Sequence, residues 1–514
     1  MLVHTSTKKI VLNLRDPDRV TTVIPTAKKF MYKGHELVAV PHKIEETKML
    51  RNLGFNAPGP IKHYYEWSGE YVPFAAQRET SEFLTLHSRA FCLNDMGTGK
   101  TLATLWAYDY LRSLGALHKA LIISPLSTLD RTWGDEIFRH FPHLNFTVLY
   151  GTKERRVKLL KSEADIYLIN HDGIKVIEKE INENPDIDLI VIDEIASFRN
   201  AGTARWRSLK KIIAGRSRVW GLTGTPTPNA PTDAWAQCRL ISPERVPGYF
   251  GQWKNAVMRQ LSQFKWVAKE SATEQVHDAM QPAIRFSRDD CVDLPPCIWQ
   301  ERHVPMTAEQ KTAYTAMLGK LAMEYQGDAV VAANEAVKMQ KLLQIACGVV
   351  YGDDRQHVYL PAMPRIEVVR EVVEEAGTKV IVFVPFKGVL SYVATKLAED
   401  FTVESISGDT PKHERDRIFH AFQQLAEPRV LVAQPAAMSH GLTLTAASTV
   451  VWFAPVTSNE IYEQANARVT RPGQKHTQFV VNVEGSDVER RLYARLRDKQ
   501  KLQGLLLDMV RGVS

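Results

Sequence analysis

Two rhythms of apolar and polar positions run along the chain. Short continuous apolar runs rich in Val, Ile and Leu occupy residues 90–93, 120–123, 166–169, 189–192 and 219–222, with stretches of helical period between them. A continuous run predicts a strand covered on both faces, and helical stretches between such runs predict crossover helices, so residues 73–229 read as a parallel α/β lobe. Between residues 230 and 377 the pattern turns helical and charged, including 307–323 and 329–345 with a break at 294–296, which predicts a helical insertion and linker. The first rhythm returns at 380–384, 403–406, 430–433, 449–453 and 477–483, predicting a second α/β lobe over 378–514 that ends in a helix. Ahead of the first lobe, residues 1–72 hold alternating segments at 9–14 and 36–40 and a helical stretch at 45–53 ended by Gly54, read as a small accessory α+β module.

Size and composition narrow the class. A chain of 514 residues is too long for one core, and 44% hydrophobic with 24% charged residues leaves ample apolar surface to bury, so disorder is not expected. The formal net charge of +7 favours a polyanionic partner without selecting one. Residues 1–72 carry 11 Lys and Arg against 7 Asp and Glu, with Tyr64, Tyr65 and Trp67 among them, a composition that suits nucleic acid as well as plain packing. Lys8 and Lys9 are followed by no long apolar run, and no run approaches the roughly 20 residues that cross a bilayer, so a cytoplasmic protein is expected. The five cysteines form neither a disulfide framework nor a zinc spacing, Cys291 and Cys297 included.

The chemistry concentrates after two of the predicted strands. Asn94-Asp95-Met96-Gly97-Thr98-Gly99-Lys100-Thr101 joins the strand at 90–93 to a helical stretch at 102–111, the setting of a phosphate-binding loop. Gly97 and Gly99 let backbone N–H groups, those of Met96 and Thr98 among them, turn toward phosphates, while Lys100 reaches the outer phosphates and Thr101 offers a hydroxyl to Mg²⁺. The strict pattern has Gly where this chain has Asn94. Asp193 and Glu194 end the strand at 189–192, where an open parallel sheet presents catalytic groups, with Asp193 suited to hold Mg²⁺ through water and Glu194 to take a proton from an attacking water. Far along the chain Arg468 and Arg471 lie three residues apart, neighbours on one helical face that can stabilise charge on a γ-phosphate, although an isolated pair of this kind is usually an exposed charged face.

In this order the motifs resemble those of superfamily-two helicases, specifically the Swi/Snf-type ATPases, from about Phe74 to Lys499. Gln77 resembles the glutamine that reads adenine, the segment from Leu121 through Pro125 to Leu129 with Trp133 the first DNA-contacting motif, and Thr223 and Gly224 with Asn229 the coupling motif. Gly408 with Arg415 and Phe422, then His440 and Gly441, resemble later DNA-facing motifs, and Gln464, Arg468, Arg471 and Gln474 the nucleotide-facing one. In the linker, Pro295, Gln310, Tyr314 and residues 342–347 resemble the crossing region. The resemblance implies two RecA-like lobes that close on ATP and Mg²⁺ and step along duplex or branched DNA, as a monomer of the compact bacterial or phage type. Gln77, Gln464 and Gln474 are then nucleotide-binding, and Pro125, Thr223, Gly224, Gly408, His440 and Gly441 nucleic-acid-binding. Two departures stand out. Ala196 replaces a histidine that couples nucleotide to motion, and the segment Ile169-Asn170-His171-Asp172-Gly173 lacks the usual threonines, with His171 read as structural. A strand-separating DNA or RNA helicase, and a non-enzymatic binding module with a degenerate ATP site, are the alternatives.

Overall fold

The computed structural model describes residues 1–67, 69, 72–228, 230–262, 266–287, 291, 295–325, 332–351, 357–438, 444–470 and 474–497. The chain divides into two compact units, Met1–Val292 and Asp293–Ser514.

The first unit is built on a seven-stranded sheet in the order Ala283–Ile284, Arg89–Cys92, Arg218–Leu222, Ile187–Asp193, Lys119–Ser124, Ile166–Asn170, Phe146–Val148, with every pairing parallel. Its apolar runs are continuous because both faces are covered. Phe91, Leu121, Ile123, Ile190 and Ile192 enter one buried cluster, whereas Ala90, Cys92, Ile122, Leu189 and Val191 enter the other. The strands at 90–93, 120–123, 166–169, 189–192 and 219–222 are therefore found within a residue or two of their expected places. Phe146–Val148 and Ala283–Ile284 lay outside the pattern, being short edge strands of partly buried residues that need no continuous run.

The second unit carries a six-stranded, all-parallel sheet in the order Cys297–His303, Gln478–Glu484, Ala447–Trp452, Lys379–Phe383, Val430–Ala433, Val403–Ile406. Val380, Val382, Val430 and Val432 face one cluster while Ile381, Phe383, Leu431 and Trp452 face the other. The stretch 230–377 thus supplies a strand to each sheet as well as the helices Ala308–Tyr325 and Ala332–Ala346. Cys297–His303 escapes a reading by apolar runs because it is an edge strand with mostly exposed or half-exposed positions. Behind this sheet, Arg365 and Glu489 are both buried, with Nη1 2.9 Å from Oε1 and Nη2 donating to Oε2 at 3.1 Å. Burial by itself would lower the Arg365 guanidinium, but Glu489 beside it outweighs that and holds it above its ordinary range.

The N-terminal module is an antiparallel sheet in the order Leu2–His4, Lys9–Asn13, His35–Pro41, Lys28–Tyr32, whose Ile10, Leu12, Val38 and Val40 pack with Leu50 of the helix Ile44–Asn52. Glu82, buried on the helix Ala75–Leu86, fastens the module to the first sheet's helices, meeting Arg51, the Gly59 N–H and Lys62. Burial pushes the Glu82 carboxyl up, yet the Lys62, Gly59 and Arg51 contacts prevail and leave it below its usual value. Among the described residues no helix is long and apolar enough to cross a membrane.

Candidate nucleotide site

A parallel sheet with helices on both faces brings its residues of interest to the carboxyl ends of its strands. Asn94 follows Arg89–Cys92, Pro125 follows Lys119–Ser124, His171 follows Ile166–Asn170, Asp193 and Glu194 end Ile187–Asp193, and Thr223 follows Arg218–Leu222. Five loops therefore meet along one edge of the first sheet.

The loop before the helix Lys100–Ser113 turns back on itself through two left-handed glycines, Gly97 at φ 84° and Gly99 at φ 75°. A side chain at Gly99 would need the space of Gln77, whose Nε2 would stand 2.0 Å from an added Cβ, so this position requires glycine for room as well as for φ. Gln77 itself is buried, donates to Gly99 O at 3.4 Å and accepts from Phe74 N–H at 2.9 Å, which sets its amide over the loop. Lys100 Nζ lies on the loop's own carbonyls, Asn94 O at 2.8 Å and Asp95 O at 3.0 Å. Thr98 donates to Asp95 O at 2.8 Å, closing the same turn.

Asn94, the departure from the strict glycine pattern, has a defined task. Its side chain is buried, donates to Thr80 Oγ1 at 2.8 Å and accepts the Phe286 N–H at 3.0 Å. One amide thus ties the loop to the helix that carries Gln77 and to the chain leaving the edge strand Ala283–Ile284. Neither Thr80 nor Phe286 carried a signal in the sequence, because each matters only through its distance from Asn94 in the fold.

The two carboxylates occupy contrasting settings. Asp193 is half-buried; loss of solvent around its carboxyl raises it above the usual range, opposed by the Trp133 indole N–H donating to Oδ2 at 2.9 Å and by the charge of Lys100. Trp133, fully buried in a π-helical turn over Leu129–Gly134, thereby links the segment after Pro125 to Asp193. π-helical turns are rare and frequently mark functional segments. In the sequence Trp133 is legible only as part of a motif, and its partner Asp193, 60 residues away, carries no signal there. His171 Nε2 donates to the Asp193 backbone O at 2.8 Å and its ring meets Phe198 edge-on at 5.1 Å. Glu194 is held at φ 53°, ψ 54°, a left-handed conformation uncommon for a residue with a Cβ. Its Oε1 accepts the Thr223 hydroxyl at 2.7 Å, and Thr223 Oγ1 in turn accepts the Thr225 N–H at 3.2 Å. Thr223, expected at nucleic acid, is fully buried against this carboxylate instead of facing the surface. Gly224 lies against the phosphate loop, where an added Cβ would stand 3.3 Å from Met96 N. Ala196 is buried in the turn Ile195–Phe198.

The group fits ATP with Mg²⁺. The loop offers a left-handed glycine cradle with a lysine on it, Gln77 above it, Thr101 in the first helical turn, and a half-buried acid within the field of Lys100.

In the second unit Arg468 is 3% exposed, so it is no solvated charged face; its Nε donates to Gln464 O at 3.0 Å. Gln464 is buried and donates to Glu460 Oε1 at 3.2 Å. Gln474, expected at nucleotide, uses its amide on backbone, donating to Ala447 O at 2.8 Å and accepting from the Lys475 and His476 N–H groups. Gly408 donates to Gln434 Oε1 at 2.9 Å in an exposed turn after Val403–Ile406. Arg471, His440, Gly441 and Asn229 lie outside the described residues.

Comparison with known proteins adds an independent line. The SNF2-related domain matches residues 76–348, and the helicase conserved C-terminal domain matches residues 364–473. Protein p41 of Acyrthosiphon pisum secondary endosymbiont phage 1 is 26% identical over 457 residues, covering 81% of this chain and 94% of its own length. The ISWI chromatin-remodeling complex ATPase ISW1 of Saccharomyces cerevisiae is 26% identical over 86% of this chain, which spans only 41% of that longer protein. Among solved structures, the Sulfolobus solfataricus SWI2/SNF2 ATPase core in complex with dsDNA matches with a TM-score of 0.42 and 22% identity, covering 87% of this chain and 95% of that one.

Proposed function

Because the chain belongs to the SNF2-related family of ATP-hydrolysing, helicase-superfamily enzymes, we propose that it is a DNA-stimulated ATPase that moves along or remodels double-stranded DNA. The observation that carries this reading is the meeting of the Gly97–Gly99 cradle, Lys100, Asp193 and the Thr223-held Glu194 at one edge of one sheet. ATP bound there supplies the anhydride whose hydrolysis drives motion, and Mg²⁺ supplies charge that neutralises its phosphates.

The protein's own groups divide the work. Gln77 orients the base, and the N–H groups of residues 96–101 hold the phosphates. Lys100 exchanges its loop carbonyls for phosphate oxygens, while Thr101 and Asp193 hold the metal, the latter through water. Glu194 takes the proton of the attacking water, its carboxylate aimed by the Thr223 hydroxyl at 2.7 Å. Arg468 and Arg471, with Gln464 and Gln474 beside them in sequence, have the role of arginine fingers on the developing charge. Pro125, Gly224, Gly408, His440 and Gly441 follow the DNA backbone, so binding is largely independent of sequence and weakens with salt.

Translocation and strand separation are distinguished by substrate. With ATP, the protein is expected to strip a third-strand oligonucleotide from a triplex while leaving the strands of a forked duplex paired. Separation of the fork without triplex displacement would instead make it a strand-separating helicase.

A further inference from the structure

One face of the N-terminal sheet carries no fully buried residue among the described residues. In an antiparallel sheet, paired residues share a face. Ile10, Leu12, Val38 and Val40 lie on the core side, and so do Lys29, which pairs in register with Val38, and Glu36, which pairs with Met31. The opposite face carries Lys28, Phe30 and Tyr32 on the edge strand, in register with Ala39, Leu37 and His35, and continues through Val11 to Lys9 and His4. Phe30 is 38% exposed and Tyr32 56%, and all of Lys28–Tyr32 is exposed.

Charge on the two faces differs. Glu36 belongs to the core side, and Asp18 is engaged there by Lys29 at 2.8 Å. The strands of the open face place Lys9, Lys28 and two histidines on it and no carboxylate. The hairpin joining the two strands turns at Lys33 (φ 47°) and Gly34 (φ 80°), a tight primed turn that fixes the edge strand's twist, and Lys33 Nζ stands 5.4 Å from the centre of the Tyr32 ring.

We infer that this face is a binding platform for single-stranded nucleic acid, Phe30 and Tyr32 stacking on unpaired bases and Lys28 and Lys9 meeting the phosphates. Exposed aromatic rings side by side on a sheet, ringed by cations and free of carboxylates, complement a polyanion with accessible base faces. A duplex keeps its base faces stacked on one another, so the rings select unpaired strands. Because Glu82 fastens the module to the first sheet's helices through Arg51 and Lys62, such a strand would be held on the unit that bears the phosphate loop. The inference rests on DNA being the motor's partner, and it gives that motor a preference for DNA with a single-stranded part.

The test measures binding of a fluorescein-labelled oligothymidylate to the full chain, without nucleotide, by fluorescence anisotropy. Replacing both rings, Phe30→Ala with Tyr32→Ala, is expected to weaken binding about thirtyfold or more, since each stacked base is worth a factor of roughly 5–150. Lys28→Ala is expected to lower the slope of log affinity against log salt by about 0.7, the value for one phosphate contact on a single strand. ATP hydrolysis stimulated by blunt duplex should stay within about twofold in both variants, which also reports that they are folded. Unchanged oligothymidylate affinity and salt slope would overturn the proposal, as would variants that lose self-association or a protein partner with single-strand affinity intact. Ring-dependent oligothymidylate binding by a wild-type chain that no DNA stimulates would sink the motor reading and leave this one standing.

Discussion

Glu194→Gln is expected to lower ATP turnover by about a thousandfold, within the roughly 10²–10⁴ range that a positioned general base contributes, with DNA affinity unchanged. The substitution keeps size and shape, so the left-handed backbone at φ 53° and the packing of Ile195–Phe198 have no reason to move. What it removes is the basic carboxylate that accepts the Thr223 hydroxyl. Phosphate release at saturating DNA reads the first effect and anisotropy on labelled duplex the second. Normal hydrolysis by this variant would place the base elsewhere.

Glu489→Ala is expected to destabilise the second unit by about 3–5 kcal/mol, the usual result of stripping a buried charge of its partner. Glu489 has no exposed surface, and it takes the two terminal guanidinium nitrogens of Arg365, the Gly485 N–H at 2.9 Å and the Ser486 hydroxyl at 2.9 Å. Removal strands the Arg365 charge beneath the sheet, next to Phe453, with only carbonyls to meet it. Chemical denaturation followed by tryptophan fluorescence measures the loss. Replacing the pair together, Arg365→Met with Glu489→Leu, should cost markedly less, because no charge is then left behind.

What the sequence revealed depended on whether a feature is local. The strand Val430–Ala433 was legible residue for residue, since burial on both faces imposes an unbroken apolar run. Cys297–His303 was not, because its positions are half exposed and its place in the sheet is fixed by Gln478–Glu484, far away in the chain. Likewise the phosphate loop announces itself through glycine and lysine spacing, and Gly97 and Gly99 do take the left-handed conformation that spacing requires. The roles of Asn94, Trp133 and Thr223 are long-range. Each is a hydrogen bond to a group on another strand or helix, to Thr80 and Phe286, to Asp193 and to Glu194 respectively. No local pattern encodes such a partner.

Those contacts also bear on the missing histidine. With Ala196 buried and apolar, Glu194 is aimed from the neighbouring strand end by Thr223, and Asp193 is held by Trp133 from the segment that follows Pro125. The two carboxylates are thereby tied to the segments that follow the strands Lys119–Ser124 and Arg218–Leu222, contacts that need no side chain at Ala196.

The measurement closest to the central claim is the steady-state rate of ATP hydrolysis with no polynucleotide and with blunt duplex, forked DNA, single-stranded DNA and RNA, at about 0.1 M salt where surface charge is partly screened. A low basal rate is expected, raised at least about tenfold by DNA and abolished by Lys100→Ala, since the Lys100 amine then cannot move from the loop carbonyls to the phosphates. A rate indifferent to every DNA, or one that survives Lys100→Ala, would contradict that claim.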